Sequence, residues 1–282
     1  MIIQNFTLVR KLINLALEED LGLGDVTTNL ALEPCQLMRA EVIARESITV
    51  CGLNLIEAIC EEFKAEVKCE LLFTEGAAAP ANSVLAELSG RAIDILALER
   101  TVLNFLQRMS GVATHTASIV RNIGSLVLLD TRKTVPGWRV LDKYAVKVGG
   151  ASNHRMNLSE MIMVKDTHID AAGGVSVVLG RIFSNKPLYM PVEVEVRSEV
   201  ELRQALEYPI NMVLLDNMTD QELEKAIKII RESGSNVSIE VSGGIRPERL
   251  QVLEKLGVTC VSMGALTSQA TSVDIALEAQ AL

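Results

Sequence analysis

Six short apolar runs in the second half of the chain each end in a charged or glycine-bearing motif. They are LVLLD before TRK, MIMVK before D, VEVEV, MVLLD before N, SIEVS before GG, and VSM before GA. Residues 126–130, 161–165, 192–196, 212–216, 237–242 and 259–263 therefore read as strands, with helix-like stretches between them. Such alternation predicts parallel strands whose C-terminal ends share one face, the face that carries the chemistry in α/β barrels. Six units are fewer than the eight of a complete barrel, so the expected architecture is an incomplete, six-stranded α/β barrel or an open sheet.

The first half has a different rhythm. Phe6, Val9, Leu12, Ile13 and Ala16 recur at helical spacing, and the glycines of GLGDVTT end that helix. Residues 39–46 alternate as a strand, Ile56, Ile59, Cys60 and Phe63 mark a helix face, and 67–73 and 84–90 read as strands flanking a turn-rich loop at 74–83. Together these predict an N-terminal α+β sandwich on an antiparallel sheet. Ile95, Leu98, Val102, Phe105, Leu106 and Met109 form one stripe of a long helix read as stopping at Ser110-Gly111, with Arg91, Arg100 and Arg108 off the stripe. The domains expected are 1–112 and 113–267. A tail at 268–282, read as helical, packs back on the first.

With 282 residues the chain is long enough for a proper core, and aromatics at 3% leave aliphatic side chains to fill it. A net charge of −9 offers no broad basic field for nucleic acid or an anionic membrane, so any anion site has to be local. Five cysteines without a CxxC pair, and three histidines, argue against zinc and for free thiols in a reducing compartment. No apolar stretch approaches the roughly 20 residues that span a bilayer, and the N-terminus lacks a signal-peptide core. A cytoplasmic location is the expectation.

Candidate chemistry gathers at the strand ends. Thr131-Arg132-Lys133-Thr134 outlines an anion site, against the plainer reading of a solvated loop. Gly149-Gly150 precedes Asn153-His154-Arg155, and Lys165 ends a strand three residues before His168. The two histidines point to acid–base work or metal binding, or else to hydrogen-bonded structural roles. Glu195 and Asp216 end the third and fourth strands, where carboxylates suit sugar hydroxyls or hydrated Mg²⁺, or an ion-pair network at the rim. Glu193 shares the parity of Glu195, so either could face the site. Ser242-Gly243-Gly244 and Met263-Gly264-Ala265 close the last two strands as phosphate-cradle turns.

Several longer stretches tie these residues together: LALEEDLGLGDVTT at 15–28, ALERTVLNFLQRMSGVAT at 97–114, the run from LDTRKTVPGWR to HRMNLSEMIMVKDTHI at 129–169, and VEVEV, LLDNM and VSGGI. Across nearly its whole length the chain resembles the quinolinate phosphoribosyltransferase family. Thr167 stands where the family more often has Asn, and Ser152-Asn153 replaces a more glycine-rich spacer.

The resemblance implies conversion of quinolinate and phosphoribosyl pyrophosphate to nicotinate mononucleotide, pyrophosphate and CO2 in de novo NAD synthesis, with Mg²⁺ and no organic cofactor. It places Arg132, Arg155 and Lys165 on the dicarboxylate with Thr131 and Lys133 in the same cluster, counts His154 among the substrate-binding residues, and supplies Arg100 across a dimer interface. Glu195 and Asp216 take the ribose hydroxyls and Mg²⁺, and residues 242–244 and 263–265 cradle the 5-phosphate. Lys165, Glu195 and Asp216 are the expected catalytic set. A homodimer with a shared site is the minimum assembly, and a hexamer is a further option. Three readings compete: a molybdenum-utilisation relative of the same fold, a Schiff-base sugar-phosphate aldolase using Lys165, and a regulator that keeps the pocket without the chemistry.

Overall fold

The computed structural model describes residue 3 and residues 5–281. The outermost residues of the expected first domain and tail, Met1, Ile2, Gln4 and Leu282, lie outside the described residues. The chain begins α1 (Phe6–Leu21), α2 (Val26–Ala31), β1 (Leu37–Ala44), β2 (Ile48–Thr49), α3 (Leu55–Phe63), β3 (Val67–Leu71), β4 (Ala78–Ala79), β5 (Ser83–Arg91) and α4 (Ala92–Val120). Alternation follows through β6 (Val127–Leu129), α5 (Arg139–Val148), β7 (Ile162–Val164), α6 (Asp166–Ala172), α7 (Val175–Asn185) and β8 (Val192–Val196). It continues through α8 (Glu199–Leu206), β9 (Met212–Asp216), α9 (Asp220–Glu232), β10 (Ser238–Ser242), α10 (Leu250–Leu256), β11 (Cys260–Ser262) and α11 (Ala265–Ser268) to β12 (Ile275–Ala281).

These elements form two compact units. One holds the described residues up to Ser118, Lys133–Ala151 and those from Ala265 onward; the other holds Ile119–Arg132 and Ser152–Gly264. The first is built on an antiparallel sheet ordered β12-β1-β5-β3. Helix α1 buries Val9, Ile13 and Leu17 at four-residue spacing and stops at Gly22, whose positive φ lets its N–H turn back to the Glu18 carbonyl. Helix α3 buries Leu55, Ile56, Ala58, Ile59 and Cys60. The stripe of α4 is buried as its spacing predicts, from Ile95 to Met109.

Two expectations fail here. Helix α4 does not stop at Ser110-Gly111 but runs on to Val120. Gly111 serves a close approach rather than a cap: a Cβ there would collide with the Thr271 carbonyl oxygen and stand 3.0 Å from its carbon. The tail returns to the first unit as expected, but as strand β12 rather than a helix. It pairs antiparallel with β1 from Ala44↔Ile275 to Met38↔Ala281, and that ladder outweighs the helical propensity of an Ala- and Leu-rich segment.

The second unit is a parallel sheet ordered β6-β11-β10-β9-β8-β7, with helices α6 to α10 between its strands from β7 to β11. This is the expected incomplete barrel, with β6 and β7 as its end strands. Each of the six strands lies within one residue of its predicted position at both ends. In β8 all five residues are buried: Val192, Val194 and Val196 face one side, and Glu193 and Glu195 the other. Leu129 also bridges in parallel to Ser152, which draws the segment after α5 against the end of β6.

Adding one methyl group at Gly111 tests the α4 contact. We expect Gly111→Ala to destabilise the fold by ~2 kcal/mol through overpacking against backbone, read as a melting temperature several degrees lower. An unchanged melting temperature would show that the Thr271 segment does not pack there.

Candidate active site

The C-terminal ends of the six parallel strands bring most of the expected residues to one edge of the second unit. Thr131 and Arg132 follow β6, Lys165 follows β7, Glu195 lies near the end of β8, Asp216 ends β9, Ser242 ends β10, and Met263 and Gly264 follow β11. Arg100, Lys133 and Ala265 belong to the first unit. Arg100 sits on α4 with a half-exposed side chain, 3.7 Å from Glu99.

The loop after α5 is tied down residue by residue. Asp130, fully buried, accepts from the Asn153 side chain at 2.7 Å and from the His154 backbone N–H at 2.9 Å. The next backbone N–H, of Arg155, donates to Nδ1 of His154 at 2.7 Å. Arg155 then donates from its guanidinium to the Met161 carbonyl at 3.1 Å. Burial and the nearby charge of Arg132 both lower the pKa of Arg155, while Glu193 opposes them. Arg132 is thus near enough for its charge to act on Arg155, and paired cations of this type suit planar carboxylates.

Lys165 is the N-cap of α6, its N–H received by Nδ1 of His168 at 2.9 Å. Its ammonium lies 3.0 Å from Oε2 of Glu195, which fixes Glu195 as the β8 carboxylate at the mouth. Arg197, just beyond β8, clamps Asp170 of α6 through both guanidinium arms at 3.0 and 2.8 Å and bonds Glu201 as well, holding the rim beside Lys165.

Glu193 lies deeper and is fully buried, as is Glu240 of β10. Nε2 of His154 stands 3.2 Å from Oε2 of Glu193 and 3.5 Å from Oε2 of Glu240. The two carboxylates come from strands on either side of β9, roughly 9–10 Å apart at the usual strand spacing, so the sheet is concave toward the histidine. Both oxygens of Glu193 and Oε1 of Glu240 have no hydrogen-bond partner among the described residues. Burial, reinforced by the charge of Glu240, raises the pKa of Glu193. Burial lowers the pKa of His154, and the facing carboxylates of Glu193 and Glu240 pull the other way.

At the far side of the mouth, Asn217 links two candidate motifs. It adopts φ 54°, donates its backbone N–H to the Ser242 carbonyl at 3.0 Å, and reaches Oδ2 of Asp216 with its amide at 2.6 Å. Gly243 and Gly244 follow with φ of 93° and 57°. A Cβ on Gly243 would run into the Asn217 side chain and stand 2.8 Å from its backbone nitrogen. Only glycine lets that turn close, and glycine turns of this kind can present backbone N–H groups to an anion. Glu195 and Asp216 present the hard oxygen donors that suit Mg²⁺ carried on substrate phosphates.

In the first unit, the loop that carries Lys133 is held by its own network. Thr267 donates to the Lys133 carbonyl at 2.8 Å, and buried Asp142 accepts from Arg108 at 3.0 Å and from the Val135 N–H at 3.2 Å. Trp138 stacks on Phe105 with centroids 4.8 Å apart. A separate cavity of about 420 Å³ beneath Phe183, Lys186, Tyr189 and Asn211 opens at the N-terminal end of β8. It is no rival for an anion, because Lys186 already donates to the carbonyls of Pro187, Leu188 and Met190.

Asp130, Glu240 and Asn217 play parts that sequence reasoning did not assign. A glutamate inside an otherwise apolar strand, as in SIEVS, was the available signal for Glu240. Two family models cover nearly all of the chain: quinolinate phosphoribosyl transferase, N-terminal domain, over residues 25–110, and its C-terminal domain over 112–278. The chain belongs to the quinolinate phosphoribosyltransferase family. A probable carboxylating nicotinate-nucleotide pyrophosphorylase of Methanocaldococcus jannaschii is 40% identical over 276 residues, covering 95% of this chain and 96% of that one. A decarboxylating quinolinate phosphoribosyltransferase of Nicotiana tabacum is 37% identical, covering 96% and 82%. The crystal structure of NadC from Streptococcus pyogenes superposes with a TM-score of 0.93 at 33% identity, covering 100% of this chain and 99% of that one. The quinolinate phosphoribosyltransferase motifs named above, TRKT through KDTH, fall inside the C-terminal match.

The glycine turn yields a direct test. Gly243→Ala is expected to weaken binding of ribose 5-phosphate about tenfold, or ~1.4 kcal/mol, by calorimetric titration, while circular dichroism stays unchanged. Equal affinity would remove the turn from the phosphate site.

Proposed function

We propose that the chain converts quinolinate and phosphoribosyl pyrophosphate to nicotinate mononucleotide, pyrophosphate and CO2. The observation that carries this reading is the gathering of Arg132, Arg155 and the Lys165–Glu195 pair on one strand-end edge of a chain with net charge −9. Local cations in an acidic protein suit a polyanionic substrate pair.

In this reading Arg132 and Arg155, with Thr131, Lys133 and Lys165, hold the two carboxylates of quinolinate. Glu195 and Asp216 face the ribose hydroxyls, and residues 242–244 and 263–265 receive the 5-phosphate. The pyridine nitrogen donates its lone pair to the anomeric carbon as the bond to pyrophosphate breaks, so positive charge builds on the ribose and is offset by the two carboxylates. Mg²⁺ bound with phosphoribosyl pyrophosphate would draw charge off the departing pyrophosphate, with Glu195 and Asp216 as the protein oxygens nearest to hold it. The pyridinium then accepts the electron pair left when the 2-carboxylate departs as CO2, and a proton replaces it at that carbon. No organic cofactor is needed. The Lys165 ammonium, aimed by Glu195 at 3.0 Å, stabilises that carbanion or supplies the proton. An ion-paired ammonium suits this task better than the nucleophilic attack an aldolase requires.

Arg100 enters the site as Arg100 of the partner subunit in a homodimer, the smallest assembly this reading allows; a hexamer remains compatible with it. Among the described residues no helix is long and apolar enough to cross a membrane, and the acidic balance fits a small-molecule enzyme of the cytoplasm rather than a nucleic-acid or membrane partner.

Incubation with quinolinate, phosphoribosyl pyrophosphate and Mg²⁺ should release nicotinate mononucleotide and CO2 in equal amounts, and no product would reject the assignment. Lys165→Ala should lower kcat by about 10²–10⁴-fold, whereas near-normal turnover would remove its role. For the shared site, Arg100→Ala and Arg155→Ala should each be inactive alone. Mixed after subunit exchange, they should recover about a quarter of wild-type turnover, because half the dimers are hybrids with one intact site of two. No recovery would place Arg100 in its own subunit's site.

A further inference from the structure

We propose that buried Glu193 and Glu240 are positioning residues: they fix the ring of His154 so that its Nδ1 holds the backbone of Arg155 and aims that arginine into the anion pocket. The inference rests on the reading of Arg155 as a carboxylate anchor.

The geometry decides what the histidine does. Its two ring nitrogens both face protein groups, Nδ1 the N–H of Arg155 at 2.7 Å and Nε2 the two carboxylates at 3.2 and 3.5 Å. A nitrogen that accepts a backbone N–H at 2.7 Å carries no proton of its own. The ring hydrogen therefore sits on Nε2, the nitrogen nearest the carboxylates. That tautomer also excludes a metal ion among His154, Glu193 and Glu240, although their ligand atoms lie within 4.8 Å of one another. A metal on Nε2 would force the hydrogen onto Nδ1, directly against the Arg155 N–H. The same argument weighs against a doubly protonated ring, despite the pull of the carboxylates. Two carboxylate oxygens lie close to Nε2, and the Glu193 and Glu240 oxygens that have no hydrogen-bond partner among the described residues are in this same pocket.

The consequence reaches Arg155 through one bond. Its backbone N–H is held by His154, and Asp130 fixes the residue before it through the His154 N–H. A guanidinium at the end of a long side chain magnifies small backbone rotations, and misplacement by ~1 Å is costly where both carboxylates of a ligand must be met. Neither Glu193 nor Glu240 needs to touch the substrate for this effect.

The test uses full-length protein with ¹⁵N-labelled histidine. There are three histidines, so the spectrum is assigned by removing His115 and His168. Long-range ¹H–¹⁵N correlation at pH 7.5 should show His154 neutral, with its proton on Nε2. In Glu193→Gln and Glu240→Gln, side chains of equal size, that pattern should be lost or averaged. The KM for quinolinate should rise about tenfold, with the KM for phosphoribosyl pyrophosphate within about twofold of wild type and kcat little changed. A purely structural defect would instead move both KM values and the melting temperature together, and would overturn the inference. So would a wild-type ring protonated on Nδ1, doubly protonated or bearing a metal, or variants with unaltered quinolinate KM. If the wild type showed no turnover, the proposed reaction would fall, yet the wild-type ring spectrum would still decide the inference.

Discussion

Neighbouring cations repel, and the charge of Arg132 bears on Arg155. Nearby negative charge offsets this: Glu193 is the one group whose field supports the ionised form of Arg155 against burial and Arg132 together. The same arrangement recurs at Lys165, whose counter-charge Glu195 comes from the same strand two residues on. Strand β8 therefore carries two carboxylates on its inner side, one at the mouth and one beneath it, and the valines between them fill the opposite side. A parallel strand with alternation inside a buried sheet is unusual, since such strands run apolar on both faces.

Support for the mouth comes from groups that would not meet a ligand. Asp130 fixes Asn153 and His154, Arg197 joins the helix after Lys165 to the strand bearing Glu195, and Asn217 ties Asp216 to the glycine turn. Asp130 and Arg197 bond to other segments of the chain, and Asn217 donates to the Ser242 carbonyl of the next strand, so the rim is held by cross-links as well as by each loop's own stiffness. Preorganisation of this sort places ligand-binding side chains before a ligand arrives.

Much of this was legible in the residues. The six parallel strands announced themselves because a buried strand is a short apolar run with an abrupt polar end, and the end is where function collects. Two failures share a cause. Gly111 read as a helix stop because glycine often is one, but the helix continues and the missing side chain serves a neighbouring backbone. The segment IALEAQA read as helix because its composition favours one, but it lies beside an open strand edge and took the ladder instead. In both cases a partner distant in sequence decided the outcome, and local propensity carries no record of such partners. Glu240 went unassigned for the same reason: its role depends on Glu193 and His154, far away along the chain and close only once the sheet curves.

Pairing of β12 with β1 joins residues more than two hundred positions apart. The first unit is therefore assembled from three separate stretches of chain, and its sheet acquires its last strand only after the whole second unit has been made. During translation a nascent chain would carry β1 with one edge bare until the final strand clears the ribosome. Through that interval the open edge is a place where another strand can add.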